Sequence, residues 1–148
     1  MKKYRVNLRV KIINSLSRFL IRLGLGPSYR YLLTVRGRKS GKSYSTPVTI
    51  VENDRGRWLV APYGEVNWVR NARATRQVTL TRAGRSETLS IAEVALEESA
   101  PILKKYLVLE PITRLYFEAQ VDSPVKAFQL EATRHPVFRL LLLERSAA

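Results

Sequence analysis

The chain has 148 residues, enough for one domain with a real core, and it contains no cysteine and a single histidine. Disulfides, thiolate metal sites and a cysteine nucleophile are excluded, and a zinc or haem site is disfavoured. The net charge of +14 lies early: Lys2, Lys3, Arg5, Arg9, Lys11, Arg18, Arg22, Arg30, Arg36, Arg38, Lys39 and Lys42 all precede the first acid, Glu52, while the chain from Ser86 onward is slightly acidic. One end of the molecule therefore expects anions: nucleic acid, an anionic membrane surface or a polyanionic small molecule. No apolar run approaches the length of a bilayer span and the N-terminus lacks the features of a signal peptide, so a cytoplasmic protein is expected, one able to sit on the inner face of the membrane.

In chain order, Leu8, Ile12, Ile13, Leu16, Phe19, Leu20 and Leu23 recur at helical spacing, with Arg9, Lys11, Arg18 and Arg22 largely off that stripe. The pattern predicts a basic amphipathic helix over Asn7–Leu23, ended by Gly24 and Gly26-Pro27. Such a helix suits a membrane surface or a lid over an apolar pocket. Because Ser and Asn interrupt the apolar face, packing against the body of the domain is the favoured expectation. Tyr31–Val35 reads as a buried strand, Tyr44–Val51 as a second, and the turn signal Asn53-Asp54-Arg55-Gly56 joins it in a hairpin to Trp58–Ala61. Pro62-Tyr63-Gly64 breaks the sheet, and Val66–Ala74 suits a short helix on which Trp68 and Asn71 share a face. Val78–Thr81 and Glu87–Val94 form another hairpin around Arg82–Arg85. Helical segments follow at Leu96–Leu107, Pro111–Glu118 and Ala127–Glu131, and the apolar run Pro136–Leu143 predicts a last, central strand. About six antiparallel strands with helices between them imply an α+β fold, a small closed barrel with peripheral helices, as a single domain over 1–148 with the helix in 1–26 and the barrel in 30–145.

The loop Thr34–Lys42 packs four cations, two glycines and a hydroxyl between two strands. Consecutive N–H groups at Gly37 and Gly41 can converge on an oxyanion, with Arg38, Lys39 or Lys42 as counter-charge. A cationic hairpin tip without a ligand explains the same residues. The loop is not a Walker motif, since Gly37 and Gly41 enclose three residues where that motif has four, and a strand follows in place of a helix. No Gly-x-Ser-x-Gly elbow is present, His135 stands alone before Pro136, and the carboxylates are few and expected on surfaces. An enzyme of this make-up must borrow reactivity from a cofactor.

Three blocks carry a resemblance. They are Gly37-Arg38-Lys39-Ser40-Gly41 with Thr46-Pro47, then Ala61-Pro62-Tyr63-Gly64, then Trp68-x-x-Asn71-x-x-Ala74 followed by Val78, with Ser123-Pro124 and His135–Arg139 towards the end. Together they resemble the deazaflavin-dependent nitroreductase family of split β-barrel oxidoreductases, related to flavin-binding pyridoxamine-phosphate-oxidase-like proteins. The resemblance implies coenzyme F420, with flavin mononucleotide as the alternative cofactor, and hydride transfer to an electron-poor small molecule. It also implies that Arg38, Lys39, Ser40, Gly41, Lys42 and Pro47 hold the anionic tail, that Ala61, Pro62, Tyr63 and Gly64 run beside the deazaflavin ring, and that Trp68 and Asn71 brace both. For Trp68, core packing is an equal reading. Tyr63 and Tyr116 are candidate proton donors, and Tyr116 has a structural reading as a half-buried helix residue. The chain departs from the pattern at Pro62, which replaces a serine and so lacks a hydroxyl and an N–H, and at Thr75-Arg76 in place of Asn-Pro. The competing function is a binding protein of the same fold holding an acyl or haem-like ligand at a membrane. Nucleic-acid binding is disfavoured because aromatics are not interleaved with the cations. Monomer and homodimer are both compatible with the sequence.

Overall fold

The computed structural model describes residues 8–143, so Lys2, Lys3, Arg5, Asn7 and the last two positions of the expected barrel lie outside the described residues. Its elements are α1 (Leu8–Arg22), β1 (Arg30–Arg36), β2 (Ser43–Asn53), β3 (Gly56–Val60), α2 (Asn67–Thr75), β4 (Gln77–Arg82), β5 (Arg85–Glu93), α3 (Leu96–Leu109), a 3-10 turn (Pro111–Tyr116), α4 (Ala127–Ala132) and β6 (Val137–Leu142). The six strands close into an antiparallel barrel in the order β1-β2-β3-β6-β5-β4. The last strand therefore enters between β3 and β5, with Leu59 opposite Phe138 and Ile91 opposite Leu140.

Period-two alternation explains why β3 reads as an unbroken apolar run. Leu59 points into the barrel beside Leu33, Val35, Val78, Leu80, Leu89 and Phe138. Its neighbours Trp58 and Val60 point outward into a second cluster with Val51 and Val137, under Ile102, Leu103, Tyr106 and Leu107 of α3 and beside Phe117 and Phe128. Both faces are buried, so neither can be polar. In α2, Val69 and Ala72 are buried within the barrel cluster, and Trp68 packs there too, 6.3 Å from the ring of Phe138.

Antiparallel order places β1, β3 and β5 with their C-terminal ends at one mouth of the barrel, where β2, β4 and β6 begin. The loop 37–42, the segment 61–66 and α2 therefore gather at that mouth. The tight hairpins 53–56 and 82–85 lie at the other.

α1 packs on the domain as expected, against β1, β2 and β4, but not through its apolar stripe. Every residue of that stripe is exposed, from Leu20 at 37 % to Leu8 at 74 %, while Asn14, Ser17 and Arg18 on the other face are half-buried. Among the side chains described in α1, Ile21 alone is buried, next to the point where Ala83 N–H donates to the Ile21 carbonyl (3.2 Å). Arg82 reinforces the anchor by donating to the carbonyls of Gly24 and Gly26, both at 3.1 Å. The C-terminal turn of the helix is thus anchored at the mouth opposite the cationic loop.

Candidate active site

The cationic loop closes on itself. Gly37 N–H donates to Lys42 O (2.7 Å), Gly41 N–H to Gly37 O (3.0 Å) and Lys42 N–H to Ser40 Oγ (3.2 Å), while Ser40 Oγ lies 3.3 Å from the Tyr44 hydroxyl. Gly41 adopts φ +72°, a left-handed conformation that a side chain would strain. Arg38 is held twice by the buried carboxamide of Asn71, its N–H at 3.1 Å and its Nη1 at 2.7 Å from Oδ1. This corrects the expectation of a nest opening at Gly37 and Gly41. Those N–H groups, with those of Arg38 and Lys42, are used internally, and only the consecutive pair at Lys39 and Ser40 is left without such a bond among the described residues. The charges, by contrast, are available. Arg36, Lys39 and Lys42 are exposed and pair with no carboxylate among the described residues.

Opposite lies the turn Ala61–Gly64. Ala61 is fully buried and its N–H donates to Pro136 O (2.9 Å), and Gly64 closes the turn with φ +85°. A Cβ added at Gly64 would stand 3.3 Å from the Arg134 carbonyl, so glycine is favoured there by angle and by space. Tyr63 meets Tyr116 edge to face, ring centroids 5.0 Å apart at 80°. The two tyrosines, far apart in sequence, thus form one wall. Beyond the turn, Arg73 of α2 pairs with Glu65 (2.7 Å) and Glu93 (2.8 Å), and these two carboxylates raise its pKa further above the ordinary arginine value. That fork ties the start of α2 to the end of β5.

A family model described as F420H(2)-dependent quinone reductase matches residues 21–127. The chain belongs to that family. It is an F420-dependent oxidoreductase, and F420H2 rather than flavin mononucleotide is its cofactor. No curated protein matches the reductase in sequence. Among solved structures it is similar to an F420-H2 dependent reductase (21 % identity over 76 % of this chain and 94 % of that one, TM-score 0.52) and to a protein solved as a domain-swapped dimer (19 %, 90 % and 99 %, TM-score 0.56). It also resembles the haem storage protein HutZ from Vibrio cholerae (12 %, 95 % and 93 %, TM-score 0.55). At such identities the likeness is one of fold, the split β-barrel.

The residues of the reductase fit its cofactor. Exposed Lys39 and Lys42, with two free consecutive N–H groups, suit an anionic tail; the turn Ala61–Gly64 and the tyrosine wall offer main chain and aromatic edges to a flat ring. Asn71 links the regions by joining Arg38 to α2. Trp68 stands in the core and touches neither Arg38 nor the cationic loop in any hydrogen bond, and Pro47 lies mid-strand in register with Leu32. Sequence reasoning missed two buried acids, which corrects the expectation of surface carboxylates. Glu110 takes Arg30 (3.0 Å) and Thr49, and Glu131 lies beneath the 3-10 turn at 1 % exposure. A signal was present for Glu131: it stands four residues before the sole histidine, beside Phe128 and Leu130.

Proposed function

We propose that the reductase delivers two electrons to a quinone at the mouth between the cationic loop and the turn Ala61–Gly64. When bound, F420H2 supplies a hydride; that hydride and one proton convert the quinone to a hydroquinone. Arg38, Lys39, Ser40, Gly41 and Lys42 hold the tail of the cofactor, the long-range part of its affinity coming from the exposed ammonium groups. Ala61, Pro62, Tyr63 and Gly64 lie along the ring, and Asn71 keeps the two halves in register. Tyr63 and Tyr116 flank the acceptor, exclude water and present the phenolic hydroxyls from which the proton is drawn. The observation that supports this reading is the meeting of Tyr63 and Tyr116 beside a glycine turn, at the same mouth as a cationic loop free of acidic partners. The test is oxidation of F420H2 by a soluble naphthoquinone, followed as the rise in deazaflavin fluorescence when the oxidised cofactor forms. Tyr63→Phe and Tyr116→Phe lower kcat while leaving cofactor Kd unchanged; a double variant with wild-type kcat removes both from the chemistry.

A second reading, compatible with the first, concerns where the reaction takes place. The exposed stripe Leu8, Ile12, Ile13, Leu16 and Phe19, flanked by Arg9, Lys11 and Arg18, suits the interface of an anionic membrane, with apolar side chains below the headgroups and cations at their level. Among the described residues no helix is long and apolar enough to cross a membrane. Sedimentation with phosphatidylglycerol vesicles, abolished by Leu16→Glu and absent with neutral vesicles, supports peripheral docking. Indifference to Leu16→Glu removes it.

A further inference from the structure

Behind the turn Ala61–Gly64 the molecule buries a polar group that the chemistry above leaves idle. Glu131 Oε1 accepts hydrogen bonds from the N–H groups of Glu118 (2.7 Å) and Ala119 (2.8 Å) and lies 3.2 Å from Arg134 Nη2. Its second oxygen, Oε2, is buried without a hydrogen bond and faces His135 Nε2 at 3.3 Å. The imidazole, 3 % exposed, stacks on Phe117 with centroids 3.8 Å apart and 15° between planes. Neither of its nitrogens makes a well-directed hydrogen bond. A buried histidine without firm partners is uncommon in a packed interior.

Arg134, His135 and Pro136, which follow Glu131 closely, carry the contacts that seat the turn. Pro136 accepts from Ala61, the Arg134 carbonyl stands against Gly64, and the main chain of Pro62 faces the imidazole, as does that of Tyr116. His135 is thus placed between the turn Ala61–Gly64 and the element that carries the second tyrosine. We propose that His135 is a positioning residue of the reductase: wedged between Phe117 and Glu131, it sets the height of the turn Ala61–Gly64 through Pro62 and the place of Tyr116 through its main chain. The proposal rests on the reading of that turn as the seat of the deazaflavin ring.

The proton state of the imidazole follows from what surrounds it. Glu131 and Arg134 face it from α4 and the turn after it, Glu118 meets Arg134 at 3.5 Å, and Tyr63 and Tyr116 approach from the ring loop and the 3-10 turn. Burial lowers the histidine pKa and outweighs the opposing pull of Glu131. The neutral ring has one N–H to share among Glu131 Oε2 and the main chains of Pro62 and Tyr116. Acidification adds a second and redistributes them.

The chain holds one histidine, so its imidazole gives a single set of NMR signals. In the cofactor-free protein, the His135 ring and the Gly64 amide are titrated together. Both are expected to move with one midpoint, below 6.5, and the Gly64 inflection disappears in His135→Gln. Cofactor Kd, read by fluorescence, rises about tenfold in His135→Phe and recovers in part in His135→Gln, with the acidic limb of the kcat/KM profile lost in both. A Gly64 amide that stays flat while His135 titrates overturns the proposal, as does a His135→Phe protein with wild-type Kd and pH profile. If neither variant folds, the wild-type titration and Glu131→Gln decide it. Coupled titration without any binding of F420H2 would instead remove the cofactor reading and leave the seating of the turn intact.

Discussion

The two loops that meet at the mouth of the barrel are built on opposite physical plans. Loop 37–42 is exposed, shaped by its own backbone bonds, and keeps its ammonium groups clear of carboxylates. The turn 61–64 is half-buried, takes its shape from residues 134–136, and rests on a buried acid and a buried imidazole. Charge in the first acts through water and is screened by salt; the second acts through contact and is sensitive to protons. On the proposed reading, affinity for a cofactor tail and placement of its ring fall to separate structures. Asn71, on the helix that follows the turn, holds Arg38 of the loop.

The sharpest way to break that division is Glu131→Ala. It removes a buried carboxylate that accepts from the main-chain N–H groups of Glu118 and Ala119 and meets Arg134, so unfolding in urea should show a loss of about 3 kcal/mol. Asn71→Ala crosses the division and should affect both sides: about 1–2 kcal/mol of stability, and about tenfold in cofactor Kd as Arg38 is released. Lys39→Ala should weaken F420H2 binding by about five- to tenfold, with a shallower salt dependence and an unchanged melting temperature. A fall in melting temperature would mean that the loop is a structural part of the barrel. For His135 the sign follows from its depressed folded pKa: the stabilisation is complete above 6.5, the ordinary value, and is lost as pH falls through the folded value. Chemical denaturation of His135→Gln should lack that acidic slope. Smallest of all, Phe19→Ser should leave the urea midpoint where it is, since the ring is already in water.

The barrel was legible because the strands stand between turn signals, most with a period of two, and the unbroken apolar run Trp58–Ala61 reflects two buried faces. The spacing of α1 was equally legible, but its exposure was not. Which face of such a helix packs depends on the strands beneath it, β1, β2 and β4, where Thr34, Thr79 and Thr81 bond to hydroxyls of the next strand. In the cationic loop the residue types were readable while the fate of each N–H was not, because Asn71 arrives from another element. Asn71 itself could be picked out by its spacing from Trp68. For Glu131 and His135 the spacing was readable but their burial was not: Glu131 stands on the six-residue α4 and His135 just beyond it, and the aromatic lid of Phe117, distant in sequence, makes them an interior pair.

The position of β6 in the barrel sets an order of events during synthesis. Among the described strands it is made last, yet it bridges β3 and β5, and the carbonyl of Pro136 just before it accepts from Ala61 N–H. A nascent chain lacking it has two unpaired sheet edges and an unseated turn, so it is open to edge-to-edge association. Capture of the redox carrier must therefore wait for β6 to pair, and a chain truncated before Val137 should be rescued neither by excess cofactor nor by lower temperature.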